Sequence, residues 1–307
     1  MSGRPVTDAA TVEEAVRRIV SDSIVSDSIV GDSAAVVSTR PVGGGCIANG
    51  RRVTLADGRS FFVKQSASLA PAAFAAEARG LEALASDAGP RVPSVEAYYA
   101  GESDGFIVLE WIEQGEAGPG FAVSFARALA ALHGERRVER FGFHCDNYIG
   151  STPQPNGWMD SWHDFFGERR IGFQTRLARE RGLLDDDDVR EIEAVLGRLD
   201  SLLPVPEHPS VLHGDLWGGN YLVDSAGEAV LIDPAVYYGH READLAMTEL
   251  FGGFPPRFLD AYEEALPLDP GYRERVDLYN LYHLLNHANI FGGGYVSSVR
   301  SVVRRYR

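Results

Sequence analysis

A mostly β-like stretch up to residue 112 gives way to a mostly helical one beyond a linker, and that change shapes the architecture. Between residues 34 and 112 the chain falls into short β-like runs, at Ala34–Pro41, Arg52–Ala56, Ser60–Gln65, Val95–Tyr99 and Phe106–Trp111. Short apolar-rich runs of five to eight residues bounded by turn signals read as strand. Asp57-Gly58 between the second and third runs is a hairpin signal, because both residues tolerate positive φ. One helix interrupts the strands, Pro71–Ser86, with Phe74, Ala78, Leu81 and Ala85 on one face. The stretch Glu113–Gly120, rich in glycine, proline and acid, reads as a linker. Beyond it helix spacing dominates, over Phe121–His133, Trp158–Arg181, Asp186–Leu202, His240–Leu250, Pro256–Ala265 and Arg273–Ile290. A single β-like interruption spans Val211–Ile232, with a turn at Asp224-Ser-Ala-Gly227. The expected class is therefore α+β: a small antiparallel β lobe with one main helix, residues 1–112, and a larger α-rich lobe, residues 113–307. Residues 1–33 are expected to add a helical extension. Thr11-Val-Glu-Glu14 fits a capping box ahead of Ala15, Val16, Ile19 and Val20. The pentapeptide Ser-Asp-Ser-Ile-Val stands at 21–25 and again at 26–30, a local duplication too short for a solenoid repeat.

Charge and composition narrow the partners. A formal charge of −15 disfavours a nucleic-acid partner, which requires a cationic face. A nucleotide remains compatible, since a few local cations and backbone amides suffice for it. Two cysteines, Cys46 and Cys145, supply no disulfide framework and point to a reducing compartment. No apolar run reaches the roughly 18 residues that span a bilayer, and the N-terminus lacks a basic flank followed by an apolar stretch. A cytoplasmic protein without a membrane partner is expected.

The β-like interruption carries the chemistry. His213-Gly214-Asp215-Leu216-Trp217-Gly218-Gly219-Asn220 is followed across a short hairpin by Asp233. Phosphoryl transfer needs a positioned base, metal ions on the phosphates and cations that spread charge. Asp215 can accept the proton of an attacking hydroxyl. Asn220, five residues on, and Asp233 offer hard oxygen ligands of the kind Mg²⁺ shares with substrate phosphates. A turn with structural roles only is the alternative for a short His-x-Asp string; the added Asn220 and Asp233 at these spacings favour the catalytic reading.

The small lobe holds a matching half. Lys64 ends the strand Phe61-Phe62-Val63-Lys64, where an inward ammonium can reach phosphate oxygens, and Glu77 on the following helix can orient it. The plainer alternative for both is a solvated surface charge. Gly43, Gly44 and Gly45 open the turn 43–50, whose amides can lie over phosphates. That turn lacks both G-x-x-x-x-G-K-[ST] and a clean G-x-G-x-x-G, so it is not a P-loop. Glu110, Trp111 and Ile112 end the fifth strand, where extended backbone can hydrogen-bond an adenine edge. ATP and Mg²⁺ are the expected cofactors.

These residues carry a family resemblance. H-G-D-L-W-G-G-N at 213–220 and I-D-P-A-V-Y-Y-G-H-R-E-A-D-L-A-M-T-E-L-F-G-G-F at 232–254 resemble the fructosamine kinases, also called ketosamine-3-kinases. So do G-F-H-C-D-N-Y-I-G at 142–150, L-Y-N-L-Y-H-L-L-N-H at 278–287, the lone-lysine strand 61–64 and the glycine turn 43–45. The resemblance runs from about residue 34 to the C-terminus and is weakest over the first 33 residues. It implies a two-lobed protein-kinase-like fold related to the aminoglycoside phosphotransferases, and ATP-dependent phosphorylation of the C3 hydroxyl of a ketosamine. Asp215 would be the base, Asn220 and Asp233 the metal ligands, Lys64 and Glu77 the phosphate-binding pair, and 110–112 the adenine hinge. The phosphorylated product in this family is unstable and releases the amine, which makes the activity a deglycation step. Ribulosamine, fructosamine and erythrulosamine adducts, free or protein-bound, are the expected substrates.

Around the acceptor the residues leave alternatives open. Trp217 either stacks on an apolar sugar face or packs in the core. His283, Asn286 and His287 stand at i, i+3, i+4, where one helix face can present polar groups to a sugar; for His287 a buried structural role is the alternative. Trp158, Trp162, Phe165 and Phe166 are read as core. Cys46, within the glycine turn, is a redox candidate that could block nucleotide or link two chains, so the chain is expected to be a monomer or a redox-dependent dimer. A small-molecule kinase of aminoglycoside or choline type, and a nucleotide-binding regulator without turnover, are the competing functions.

Overall fold

The β-like runs of the small lobe become one sheet whose two faces do different work. The computed structural model describes residues 4–5, 36–43, 49–66 and 69–307. Strands β1 (Arg4–Pro5), β2 (Val36–Val42), β3 (Asn49–Leu55), β4 (Ser60–Gln65), β5 (Val95–Ala100) and β6 (Gly105–Glu110) lie in the order β1-β5-β6-β4-β3-β2. The five expected strands pair antiparallel. The unexpected β1 adds a parallel edge against β5, with Arg4 opposite Ala97. The β3–β4 turn forms at Asp57-Gly58, with Gly58 at φ 88° and Asp57 Oδ1 accepting from Arg59 N at 3.0 Å. Helix α1 (Ala72–Leu84) covers one face of the sheet. Phe74, Ala78 and Leu81 pack there on Ile107 and Leu109, with Phe62 beside them. The other face gathers Val53, Leu55, Phe61, Val63 and Val108. Because strand side chains alternate, Phe61 and Val63 face that second cluster while Phe62 and Lys64 face α1. The direction of the lysine thus follows from its register.

The rest of the chain is mainly helical: α2 (Phe121–Gly134), α3 (Trp162–Phe165), a π-helical turn (Phe166–Gly172), α4 (Phe173–Glu180), α5 (Asp186–Leu196), α6 (Leu199–Leu202), α7 (Glu242–Leu250), α8 (Phe258–Ala265), α9 (Tyr272–Phe291) and α10 (Gly294–Tyr306). Short strands β7 (Asn147–Ile149) and β8 (Thr152–Gln154) form one hairpin, and β10 (Tyr221–Val223) and β11 (Ala229–Leu231) another. Strand β9 (Ser210–Leu212) pairs with β12 (Tyr237–Gly239). Helix α9 runs through the core, with Leu278, Leu281, Tyr282 and Leu285 all at most 1% exposed. Each such side chain contributes roughly 1.5–3 kcal/mol through burial. No helix among the described residues is long and apolar enough to cross a membrane.

Three expectations change. The helix expected over 158–181 starts only at Trp162, capped by Ser161 Oγ accepting from Asp164 N at 3.2 Å, and widens into the π-helical turn. A Cβ on Gly172 would lie 2.8 Å from Gly167 O, so this wide turn needs glycine there. It also carries Arg170 into the core, 3.9 Å above the Tyr237 ring. Trp158 lies outside the helix and is half-buried, whereas Trp162, Phe165 and Phe166 are core as read. The helix expected over 186–202 divides at Gly197, whose weak helix propensity lets α5 end there. Helix α10 has no counterpart among the expected elements; its buried face is Val299, Val303 and Tyr306. The capping box at 11–14, the duplicated pentapeptide, Gly44, Gly45 and Cys46 lie outside the described residues.

Candidate active site

Strand β9 delivers the chain into a loop held by its backbone. His213 N and Gly214 N donate to Asp244 Oδ2 and Oδ1 at 2.6 and 2.8 Å, so one carboxylate from α7 clamps two successive amides. Burial alone would raise the Asp244 pKa, but its hydrogen bonds and the neighbouring His133 and His213 hold it below the usual range. Gly214 has φ 81°, and a Cβ there would meet Ala235 O at 2.1 Å. No residue with a side chain fits that position. His213 is a strut: Nε2 donates to Ile232 O at 2.9 Å and Nδ1 accepts from Asp215 N at 3.3 Å. Both ring nitrogens are thereby engaged, and burial lowers its pKa, which keeps the ring neutral.

Asp215 then points into the cleft. Burial pushes its carboxyl up to about 7; the hydrogen bond from Asn220 opposes the shift, while Asp233 and Asp244 add to it. Asn220 Nδ2 donates to Asp215 O at 2.8 Å and to Asp215 Oδ2 at 3.1 Å, locking the two ends of the loop together. Since the amide nitrogen is used in this way, the amide oxygen remains as the available ligand atom.

Asp233 follows the β10–β11 hairpin. It is the sole non-glycine residue with positive φ, 54°, among the described residues. Such a conformation costs about 1–3 kcal/mol and needs surrounding contacts to hold it. One such contact spans the two lobes: Lys64 Nζ donates to Asp233 Oδ1 at 2.7 Å and to Glu77 Oε2 at 2.9 Å. Burial would lower the lysine pKa, but the two carboxylates outweigh it and raise the value, so the ammonium stays charged. Glu77 is raised, by burial against the pull of Lys64. Asp233 is lowered, because Lys64 overcomes its burial. With Oδ1 on the lysine, Asp233 presents Oδ2 together with the Asn220 amide oxygen. Two hard oxygens beside a cleft fit Mg²⁺.

These groups line one cavity of about 570 Å³. Its lining includes Gly43, Lys64, Glu77, Glu110, Trp111, Ile112, Asp215, Trp217, Asn220 and Asp233, together with Asn286 and His287. The Glu110 side chain is turned aside by Arg91 and by Ser94 N, which donates to it at 3.2 Å, so at this strand end the backbone of 110–112 is the polar group left beside the cavity. Apolar walls come from Val42, Leu109, Leu222 and Ile232.

At the acceptor end the structure separates the expected residues. Trp217 is half-buried and lines the cavity, so it is not core. Its ring folds over Gly219, where a Cβ would lie 2.3 Å from it. Asn286 and His287 line the cavity, but His283 does not. His283 is buried, with burial driving its pKa down to about 3, because α9 turns that face into the core. The i, i+3, i+4 grouping is thus corrected to a pair. His287 Nδ1 donates to His283 O at 2.8 Å, which leaves Nε2 as an acceptor.

Two contributors lie outside the expected site residues. One is Asp244, whose signal was a carboxylate amid the apolar run Ala243–Met247. The other is the hairpin of β7 and β8. Asn147, Tyr148 and Gly150 line the cavity, and Asn147 Nδ2 donates to Val236 O at 2.8 Å. Gln154 Nε2 donates to Ala235 O at 2.9 Å, so the hairpin grips the backbone just after Asp233. The G-F-H-C-D-N-Y-I-G run at 142–150 is its sequence signal. His240, Glu242 and Asp269 also converge, within 4.8 Å. Glu242 is already neutralised there by Arg275, at 2.6 and 2.8 Å, which makes this an ion-pair cluster and not a metal centre.

Similarity to known proteins agrees with this geometry. A model of the fructosamine kinase family matches residues 21–307. A protein of Synechocystis sp. named a probable ketoamine kinase is 44% identical over 267 residues, covering 87% of this chain and 89% of the relative. The chloroplastic protein-ribulosamine 3-kinase of Arabidopsis thaliana is 42% identical over 273 residues, covering 86% of this chain and 81% of the relative. A crystal structure of a candidate fructosamine-3-kinase from Thermobifida fusca superposes with TM-score 0.81 at 38% identity, covering 96% of this chain and 99% of that one. The architecture is the two-lobed protein-kinase-like one.

Proposed function

The chain belongs to the fructosamine kinase family and is a phosphotransferase; we propose that it transfers the γ-phosphoryl group of ATP to the C3 hydroxyl of a ketosamine, with Asp215 as base. The observation carrying this reading is that one cavity is lined at once by the Lys64–Asp233 pair, the strand-end backbone at 110–112 and the Asp215 carboxyl. Adenine would lie between the apolar walls against that backbone. Lys64, held by Glu77, would bind phosphate oxygens. Asn220 and Asp233 would hold Mg²⁺, which when bound screens the charge of the phosphates. Asp215 orients the C3 hydroxyl and accepts its proton as the new O–P bond forms and the γ-phosphoryl leaves ADP. A base with a pKa near the working pH combines availability with driving force. Asn220, bonded to Asp215 Oδ2, fixes the carboxyl's rotamer.

Trp217 would stack on the sugar, and Asn286 and the acceptor nitrogen of His287 would bind its polar edge. The name of the Arabidopsis relative supports a ribulosamine among the substrates. Spontaneous loss of phosphate and amine from the product would make the reaction a deglycation step, and we assign it to the cytoplasm. The test is ATP consumption with ribulosamine, fructosamine, erythrulosamine and an aminoglycoside, using Asp215→Asn as blank. Turnover of ketosamines that the substitution lowers by at least about 10³-fold is expected. Turnover of the aminoglycoside alone, tight ATP binding without turnover, or an Asp215→Asn protein as active as the parent would each refute the reading.

A further inference from the structure

The acceptor end of the cleft opens onto exposed aromatic rings. Among the described residues, four large hydrophobic side chains are exposed, and two of them, Phe251 (40%) and Phe291 (56%), flank one ring. Phe251 lies 4.7 Å and Phe291 5.6 Å from His287, centroid to centroid. Tyr295 closes the arc at 5.1 Å from His287, and Trp217 meets Phe251 edge-on at 6.4 Å. Isolated exposed hydrophobics need no explanation, but a contiguous aromatic arc at a cleft mouth does.

Backbone features hold the arc in place. Phe251 is followed by Gly252 and Gly253 at φ 70° and 90°. A Cβ on Gly218 would lie 2.8 Å from Gly253 Cα, so the loop bearing Phe251 packs directly on the loop bearing Asp215. Phe291 ends α9 and is followed by Gly292 and Gly293 at φ 65° and 59°, after which α10 returns Tyr295 to His287. Both exposed rings are thus set on glycine breaks beside the reacting end. Trp217, His287, Ile290 and Phe291 all line the cavity, which makes the arc continuous with it.

We propose that Phe251 and Phe291, with Tyr295 behind them, form a rim that receives the amine-borne substituent of the substrate and selects for an apolar alkyl stem. The proposal rests on the ketosamine reading above. In a ketosamine the amine is carried by C1, two carbons from the C3 hydroxyl. A sugar with its C3 hydroxyl at Asp215 and its face on Trp217 would place that substituent beside Phe251 and Phe291, since Trp217 meets Phe251 and shares the cavity with Phe291. There the secondary ammonium is favoured by aromatic faces, and a methylene stem such as that of a lysine side chain covers their apolar surface. An open mouth accepts a stem of any length, including one continuing into a polypeptide.

The test compares the ribulosamine of hexylamine with that of methylamine, in the parent and in the Phe251→Ala/Phe291→Ala double variant. Both substrates carry the same sugar and a secondary amine, so the ratio of their kcat/KM values in one protein cancels any general loss of activity. A preference for the hexyl adduct of about ten-fold or more is expected in the parent, falling to within about two-fold in the variant. A parent ratio near one, or a ratio unchanged by the substitutions, overturns the proposal while leaving the ketosamine reading intact. Failure of the parent to phosphorylate either adduct overturns both together.

Discussion

Replacing Asp244 with Asn tests the idea that one buried carboxylate builds the catalytic loop. The carboxylate accepts from His213 N and Gly214 N with one oxygen each, at 2.6 and 2.8 Å, and is 1% exposed. An amide keeps one acceptor oxygen and turns an NH₂ toward the other backbone N–H. One charge-assisted bond, about 1.5–3 kcal/mol, is lost, and a buried N–H is left without a partner at about 1–3 kcal/mol. Allowing for relaxation, about 3 kcal/mol of stability should disappear, or a fall in Tm of roughly 6 °C or more. If the loop shifts by even about 1 Å, kcat should drop near 10²-fold. Urea denaturation reads the first effect and steady-state ATP turnover the second. The pH dependence adds a sign. The folded pKa of Asp244 lies below the ordinary 3.8, so its contribution is present above about pH 4 and lost as pH falls through the folded value. The difference between parent and variant should therefore shrink in acid. A variant within about 0.5 kcal/mol of the parent at neutral pH, with kcat within two-fold, would refute the clamp.

If Asp215 is the base as proposed, the pH profile of kcat should fall by about ten-fold per unit below roughly pH 7, because the carboxyl must be ionised to accept a proton and burial pushes its pKa up to about 7; a flat profile from pH 5.5 to 8 would contradict this. Gly214→Ala forces a Cβ to 2.1 Å from Ala235 O at φ 81°, so it should lower stability by roughly 2–4 kcal/mol and reduce activity with it, as thermal unfolding and turnover together would report. Chelation with EDTA should abolish turnover and Mg²⁺ restore it, with Asn220→Ala requiring more metal for half-maximal rate; activity persisting in excess chelator would remove the metal from the mechanism.

Much of this site is local, and local features are visible in a sequence. The spacing of Asp215, Asn220 and Asp233 survives folding because one loop and one hairpin carry all three. Lys64 faces α1 because a strand alternates, and Glu77 meets it because a helix follows. Gly58 and Gly227 turn the chain where their neighbours announce it. By contrast, His283 and His287 are equivalent on a helical wheel, and only the packing around α9 buries one and opens the other. The π-helical turn is hidden in the sequence because helix periodicity treats 3.6 and wider turns alike over a few residues. Helix α10 was legible in Val299, Val303 and Tyr306, but follows two glycines that read as an ending.

The sequence by itself determined the β-like lobe ahead of the α-rich one, the order of the candidate site residues and the direction of Lys64, because propensity, chain order and strand alternation are all local. Tertiary structure alone decided that Lys64 meets Asp233, 169 residues away, that Asp244 holds the loop, and that Phe251 and Phe291 stand at the mouth. Such contacts depend on which apolar faces bury against one another, and that is a property of the packed whole.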